Sequence, residues 1–207
     1  MRFLIDNHKT KVARKCRSPL ACGQLITPLT GYSNWGGVFA VDNGAFSQFR
    51  EKKFVSILNR DQKLAAKCLF VACPDVVGDW VQTRERFDQY RSLIPDCYPV
   101  AFVAQNEQPL NDVPWNEISC LFIGGKDPWK ESNECIELVR EAKRRQKFVH
   151  VGRVNGAERF LLFDALGADT CDGTGVARYD HMLHKIEAAA GINKTQFDTP
   201  QRTRWLF

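Results

Sequence analysis

Short apolar segments alternate with amphipathic segments along most of the chain. A short apolar run bounded by glycine, proline or aspartate indicates a buried strand, whereas apolar residues spaced three and four positions apart indicate a helix. Continuous apolar runs such as CLFVAC indicate strands that are covered on both faces, as in a parallel sheet. The pattern predicts eight strands, at residues 3–6, 24–29, 38–42, 68–75, 98–105, 118–125, 147–154 and within 167–175.

Helical patterns follow most of these strands. The clearest lies at 131–146, where apolar residues recur at Cys135, Leu138, Val139 and Ala142. Further helices are predicted at 50–67, 79–95, 156–166 and 179–190. The alternation favours a single α/β domain over residues 1–207, a compact (β/α)8 TIM-like barrel, with an open doubly wound sheet as the alternative.

The composition is that of a globular protein, with 44% hydrophobic and 26% charged residues. Every apolar run is too short to cross a bilayer, and the first residues lack the pattern of a signal peptide. We therefore expect a cytoplasmic protein with no membrane partner. The eight cysteines form no CxxC pair, which favours reduced thiols over a disulfide framework or a zinc site, and no metal is predicted.

The net charge of +5 is concentrated at the start of the chain, where residues 1–17 hold six basic side chains against Asp6 alone. A basic loop after the first strand favours contact with phosphates, although a merely solvated loop is the alternative. The candidate phosphate contacts in this loop are Lys9, Lys11, Arg14, Lys15 and Arg17. Candidates elsewhere are Lys143, Arg144, Arg145, Arg153, Arg178, Arg202 and Arg204.

Polar side chains and glycines end most of the predicted strands, at the edge where a barrel carries its active site. In chain order these ends are Asp42 with Phe46 close behind, Asp75, Gln105, Gly124 with Gly125, Gly152 with Arg153, and Asp169 with Asp172. Such a set suits a planar, nitrogen-rich ligand such as a purine. Asp75 can accept from guanine N–H groups, while Gln105 and the Gly125 amide can donate to a carbonyl.

Two of these carboxylates, Asp42 and Asp172, suffice for glycosidic chemistry, in which one attacks the anomeric carbon and the other moves protons. His150, inside an apolar strand, is interpreted as a core or rim histidine rather than a catalyst, and Cys171 has no evident histidine partner. Structural alternatives remain for the others: an Asx turn at Asp42, a loop cap at Asp75, a solvated loop at Gln105, a tight turn at Gly124–Gly125 and a core position for Phe46.

The motifs DNGAF, PD, FVAQ, FIGG and GADTCDG, in this order, resemble those of the tRNA-guanine transglycosylase superfamily. Within it, the chain is most similar to the 7-deazaguanine DNA transglycosylases of phages and bacteria, and the resemblance covers Val38 to Gly173. It implies an enzyme that replaces guanine in DNA by a preQ0-like 7-deazaguanine base without a cofactor. For a phage-encoded chain, the compartment would be the host cytoplasm.

The resemblance also implies roles for individual residues. Asp172 would be the nucleophile that forms a covalent glycosyl intermediate, and Asp42 would contact the base and move protons. The implied base-binding residues are Phe46, Asp75, Gln105, Gly124, Gly125, Val151 and Gly152.

Two departures from the tRNA enzymes favour DNA as the substrate. The chain lacks their zinc-binding insertion, and it carries GTGVARYD where they have a basic, tRNA-reading run. Ser47 also stands where the tRNA enzymes usually have glutamine. Base exchange on tRNA, hydrolysis or transfer on a nucleoside, and a catalytically idle nucleic-acid-binding relative are the alternatives. A helper protein or self-association would complete the DNA surface.

Overall fold

The computed structural model describes residues 1–192 and shows a closed barrel of eight parallel strands. Each strand pairs with the next one along the chain, and the last pairs with the first through Phe3 and Cys171. The strands are β1 (Arg2–Ile5), β2 (Ala21–Ile26), β3 (Phe39–Val41), β4 (Cys68–Ala72), β5 (Val100–Ala104), β6 (Cys120–Ile123), β7 (Phe148–Val151) and β8 (Thr170–Cys171). The predicted barrel is thus confirmed, and the open sheet is excluded.

The helices within residues 1–192 are α1 (Lys9–Lys15), α2 (Glu51–Asp61), α3 (Trp80–Tyr90), α4 (Asn133–Arg144), α5 (Ala157–Ala165), α6 (Thr174–Arg178) and α7 (Asp180–Ala189). Short 3-10 turns lie at Gln62–Lys67, Arg91–Leu93, Leu110–Asp112 and Trp129–Glu131. The five predicted helices are present with trimmed ends. The helix predicted at 50–67, for example, changes to 3-10 geometry over its last six residues.

The prediction of a basic loop after β1 was wrong, because Lys9–Lys15 form helix α1. His8 caps this helix by accepting a hydrogen bond from the Thr10 amide. Val12 is its buried apolar residue, so about two turns of mostly basic sequence offered no apolar periodicity to recognise. Helix α6 was also not predicted, because five residues are too few to show an apolar periodicity.

The barrel has two apolar layers. The larger lies between the strands and the helices, and the smaller fills the barrel interior. The interior layer consists of Leu4, Leu25, Ala40, Phe70, Ala72, Ala101, Val103, Cys120 and Phe122. Because successive strand residues point alternately inward and outward, both sides of each strand are apolar, which explains the continuous apolar runs in the sequence.

Hydrogen bonds tie together the loops at the carboxyl ends of the first strands. The Gln24 side chain, fully buried on β2, donates to the carbonyl oxygens of Asn7 and Ser33 at 3.0 and 3.1 Å. The Asn7 side chain in turn donates from Nδ2 to the Ala177 carbonyl at 3.0 Å. The rim of the barrel beside β8 therefore has a fixed geometry.

All eight cysteines lie within the described residues, and none of them is paired with another. Over the same stretch, residues 1–192, no helix has the length and apolar character needed to cross a membrane.

Candidate active site

A cavity of about 370 Å³ opens at the carboxyl ends of the strands. That volume is within the range of small-molecule sites and accommodates a purine base with part of its sugar. Its wall combines four carboxylates and two arginines with an apolar floor from the barrel interior. The charged lining residues are Asp6, Asp42, Asp75, Asp172, Arg153 and Arg178.

Asp172 follows β8 directly, and two groups from the end of β7 hold its carboxylate. Its Oδ1 accepts from the Arg153 amide at 3.2 Å, and its Oδ2 lies 3.1 Å from His150 Nε2. Arg153 is in the left-handed region, with φ of 60°, a conformation that costs free energy for a residue with a side chain. Asp172 is 17% exposed, so a ligand in the cavity reaches a carboxylate of fixed orientation.

Gly173 has a packing reason to follow Asp172. A Cβ at this position would stand 2.1 Å from the Val154 carbonyl oxygen, so only glycine allows the close approach of the two chain segments. The Val154 amide donates to the Asp172 carbonyl at 2.6 Å, which locks the same corner. The acidic, glycine-rich segment at Asp172 and Gly173 therefore holds the Asp172 side chain rigidly.

Asp42 follows β3 and reaches the same cavity. Its Oδ2 accepts from the Gly44 amide at 3.2 Å, so the Asx turn considered above does exist alongside the cavity position. Gly44 has φ of 73°, which the turn requires. Burial, with repulsion from Asp172 and Asp75, raises the pKa of Asp42 to about 7. Asp42 therefore holds a proton much more tightly than an ordinary aspartate.

Asp75 lies on the opposite side of the barrel from Asp172, where two amides hold it. Oδ1 accepts from Asn43 Nδ2 at 2.8 Å, and Oδ2 accepts from Gln105 Nε2 at 2.6 Å. Burial raises the pKa of Asp75 to about 6, against the lowering effect of the Asn43 hydrogen bond. Each carboxylate oxygen keeps a free lone pair, so Asp75 can still accept from a ligand in the cavity.

Gln105 is placed behind Asp75 and not on the cavity wall. It is fully buried, and its Oε1 accepts from the Gly78 amide at 2.8 Å while its Nε2 serves Asp75. The structure thus makes Gln105 a support for the carboxylate. Asn43, to which the sequence analysis assigned no role, has the same function on the other oxygen and also donates to the Cys73 carbonyl at 2.8 Å.

Gly124 lines the cavity, whereas Gly125 is buried beside it. Both amides donate to the Ala104 carbonyl, at 2.9 and 3.2 Å, so the Gly125 N–H expected to serve a base carbonyl is already engaged. A Cβ on Gly125 would lie 2.3 Å from the Trp129 ring. The two glycines are therefore explained by close packing, and their carbonyl oxygens are the groups that accept hydrogen bonds.

Gly152 lines the cavity, as the resemblance implies for its position. Val151 does not, because its side chain is buried in the outer apolar layer, between the strands and the helices. Phe46 stands at the cavity mouth with 67% of its surface exposed, which leaves its ring available for stacking. These three residues were predicted together, and the structure brings two of them to the cavity.

Besides Asn43, three polar residues near the cavity were not selected from the sequence as site residues. Asp6 ends β1, and burial together with the charge of Asp172 raises its pKa to about 6. The same strand-end criterion that selected the other carboxylates would have found it. Lys130 is fully buried and donates from Nζ to the Gly152 carbonyl, and His150 contacts Asp172 from inside the barrel. No local pattern singles out Lys130.

Part of the predicted basic surface lies on the wrong side of the barrel. Helix α4 ends where β7 begins, so Lys143, Arg144 and Arg145 lie at the amino-terminal ends of the strands, away from the cavity. Lys143 pairs there with Asp169 at 2.7 Å, and Asp169 precedes β8 instead of ending it. These four residues are removed from the candidate site. Arg202 and Arg204 lie outside the described residues.

The basic residues of α1 are on the cavity side, but several have acidic or carbonyl partners. Arg14 and the buried Lys15 pair with Asp180, each at 2.8 Å, and Lys11 Nζ donates to the carbonyl of the cavity residue Arg178 at 2.6 Å. The side chains of Lys9 and Arg17 are exposed. Lys9 begins α1 on the cavity side, whereas Arg17 lies between α1 and the start of β2, at the amino-terminal ends of the strands, and is removed from the candidate site.

Comparison with protein-family models gives no match, and comparison with curated proteins gives no significant match. Within residues 1–192, no group of three or more His, Cys, Asp or Glu side chains is arranged to hold a metal ion.

Proposed function

We propose that the chain is a DNA guanine transglycosylase that exchanges guanine for a preQ0-like 7-deazaguanine base through a covalent aspartyl-glycosyl intermediate. The observation that carries the proposal is the difference between two carboxylates in one cavity. Asp172 is held by hydrogen-bond donors suited to a carboxylate, whereas Asp42 retains a proton near neutral pH. Two carboxyl groups held in such different environments are the arrangement that divides nucleophile from acid.

The proposed reaction has two half-steps. An oxygen of Asp172 bonds to C1′ as the C1′–N9 bond breaks, and the departing guanine takes the bonding electrons and a proton from Asp42. The incoming base then gives its N9 proton to the Asp42 carboxylate, bonds to C1′ through N9, and releases Asp172. One glycosidic bond replaces another, so the balance needs no water, oxidant or energy source.

Recognition of the guanine edge is assigned to Asp75. Its carboxylate can accept from N1–H and from the exocyclic amine, the pair of donors that guanine and 7-deazaguanine share. Asn43 and Gln105 hold that carboxylate from behind, so it is preorganised before the base arrives. Phe46 supports the proposal by offering an aromatic face at the mouth.

The proposal of a nucleic-acid substrate rests on the basic side chains beside the cavity and on the resemblance of the ordered motifs. Lys9, which begins α1 after the carboxyl end of β1, and Arg178, which lines the cavity, are the candidate phosphate contacts on this side of the barrel. The target base must leave its stack to enter a cavity of this size, which favours a melted or flipped substrate.

A parallel exchange assay tests the function. Duplex DNA, single-stranded DNA, tRNA and a free guanine nucleoside are each incubated with the protein and a 7-deazaguanine base, then digested and examined by mass spectrometry. We expect the deazaguanine in the deoxynucleoside pool. Incorporation into tRNA or the free nucleoside alone would refute DNA as the substrate and keep the chemistry.

The variant Asp172→Asn and the matched control Asp96→Asn separate an enzyme from a binding protein. Asp96 is fully exposed and remote from the cavity lining, so its variant should exchange bases at the wild-type rate. Asp172→Asn should retain DNA binding and lose the covalent adduct and the exchange. Equal exchange rates in both variants would show that Asp172 is not the nucleophile. No exchange by the wild-type protein on any substrate would refute the proposal that the chain is an enzyme.

A further inference from the structure

His150 is a polar side chain enclosed in the barrel interior. It is fully buried, and its ring lies between the rings of Phe70 and Phe122, with centroid distances of 4.8 and 4.5 Å. An imidazole in an apolar core is costly unless both ring nitrogens are hydrogen-bonded. The reaction described above makes no use of it.

Both nitrogens of His150 have a partner on the neighbouring strand. Nδ1 lies 2.9 Å from the Thr170 hydroxyl, and Nε2 lies 3.1 Å from Asp172 Oδ2. An ionised carboxylate can only accept, so Nε2 must carry the proton. Nδ1 is then the acceptor, and the Thr170 hydroxyl donates to it.

We propose that His150 is a positioning residue for the nucleophile, whose imidazole, fixed in one tautomer by Thr170, donates to Asp172 and keeps that carboxylate aimed at the cavity. This inference rests on the proposed function for its catalytic consequence. The hydrogen bond itself is independent of any substrate.

The charges around His150 favour the neutral ring. Burial lowers the pKa of His150, while its hydrogen bond to Asp172 and the charge of that carboxylate oppose the effect. The other titratable groups that face it are the Lys130 amine, which lowers the pKa further, and the Cys120 thiol, which contacts the His150 backbone. The imidazole therefore acts as a hydrogen-bond donor and takes no proton from Asp172.

Such a donor has two consequences for a covalent mechanism. It holds one carboxylate oxygen in place together with the Arg153 amide on the other, so the attacking atom has a fixed direction. It also stabilises the carboxylate that must leave C1′ in the second half-step. The charge reappears on Asp172 at that moment, and the N–H is already oriented toward it.

Three variants test the proposal. His150→Leu fills much of the space and removes the donor, whereas His150→Gln can return an N–H near the position of Nε2. Cys120→Ala is the control, since it perturbs the same interior layer without touching Asp172. We expect kcat to fall about 10- to 100-fold in His150→Leu, with KM nearly unchanged because His150 does not line the cavity, and to recover partly in His150→Gln.

The pH profile provides a readout that a merely structural role would not move. His150→Leu removes the hydrogen-bond donor to the Asp172 carboxylate. We therefore expect the acid limb of the kcat/KM profile to move to higher pH by about one pH unit, and His150→Gln to reverse this shift. The Cys120→Ala profile should match the wild type. Identical acid limbs in His150→Leu and Cys120→Ala would overturn the positioning role while leaving base exchange intact.

Nitrogen NMR of the wild-type protein gives a second test that needs neither activity nor a variant. With labelled histidine, we expect the His150 ring to show a protonated Nε2 and an unprotonated Nδ1 from pH 6 to 8. A proton on Nδ1, or a doubly protonated ring, would refute the inference. The expected tautomer in a protein without exchange activity would support the hydrogen bond and refute the proposed function.

Discussion

The Arg153 guanidinium lies over the ring of Phe46, 5.1 Å from its centroid. The same guanidinium donates to the carbonyl oxygens of Gly124 and Gly125 at 2.7 and 2.6 Å, and the Arg153 amide donates to Asp172 at 3.2 Å. Arg153 thus connects Asp172, the loop after β6 and the aromatic ring at the cavity mouth. It was predicted as a phosphate contact, and its position indicates a structural role in the cavity wall.

We predict that Arg153→Gly distinguishes the contribution of the backbone amide from that of the guanidinium. Glycine keeps the amide donor to Asp172 and relieves the left-handed strain, which costs about 1 kcal/mol for a side-chain residue. It removes the guanidinium from Phe46 and from the two carbonyls. We expect KM for the base to rise about tenfold with little change in the melting temperature. Steady-state kinetics and thermal denaturation measure both.

Arg144→Ala is the control for Arg153→Gly, because Arg144 pairs with Glu141 on the opposite side of the barrel. It should leave KM unchanged. A tenfold fall in kcat for Arg153→Gly, with KM constant, would contradict a structural role in the cavity wall. It would indicate that the guanidinium stabilises the transition state.

A second prediction concerns the pH dependence of folding. Burial raises the pKa of Asp6, Asp42 and Asp75 to about 6, 7 and 6 in the folded protein. Each folded-state value lies above the unfolded one, so the folded state binds these protons more tightly. The associated stability is complete below about pH 4 and is lost as pH rises toward 7.

Asp42→Asn should flatten part of this pH dependence. The free energy of unfolding of the wild type should fall between pH 4 and 7 by about 2–4 kcal/mol more than that of the variant. Urea denaturation at several pH values measures the difference, with Asp96→Asn as the exposed control. Parallel curves for wild type and Asp42→Asn would show that Asp42 titrates at its ordinary pH.

The proton on Asp42 also predicts a limit on activity. If protonated Asp42 releases guanine, the rate of the first half-step should fall about tenfold per pH unit above pH 7. Single-turnover formation of the covalent adduct, followed from pH 5 to 9, measures this limb. A rate that is flat up to pH 9 would exclude Asp42 as the acid.

Gln105 gives a third kind of prediction, because it acts through Asp75. Gln105→Leu removes the donor to Asp75 and leaves the Gly78 amide without its acceptor, so we expect a loss of about 1–3 kcal/mol in stability. KM for the guanine base should rise more than kcat falls. Gln105→Glu should be worse, since it places a second carboxylate against Asp75. An unchanged KM in Gln105→Leu would refute the supporting role.

The basic residues next to the cavity predict a salt effect. The double variant Lys9→Ala, Arg178→Ala removes two exposed charges on the cavity side. It should lower DNA affinity and reduce the slope of log affinity against log salt by about one per lost phosphate contact. Arg14→Ala should have a smaller effect, because Asp180 already neutralises that side chain.

The control for the salt experiment is Arg144→Ala with Arg145→Ala, which changes the same number of charges at the opposite end of the barrel. Fluorescence anisotropy at several salt concentrations compares the sets. Equal slopes in both double variants would show that DNA binds elsewhere.

The sequence by itself determined the barrel and most of the carboxylates. Alternating apolar runs and helical patterns are local signals, and a parallel strand buried on both faces has few other ways to be covered. Once the strand ends are assigned, a barrel brings them to one rim. Asp42, Asp75 and Asp172 could therefore be placed at the same cavity from the sequence alone.

Only the tertiary structure decided which groups face a ligand and which support those that do. Gln105 was grouped with the cavity because it ends a strand, and Val151 because the resemblance implies it. Side-chain direction and existing partners place Gln105 behind Asp75 and Val151 in the outer layer. His150 and Arg153 acquired their positions through contacts between β7 and β8, together with a left-handed φ. Such contacts depend on orientation across strands, and a linear pattern does not encode orientation between segments.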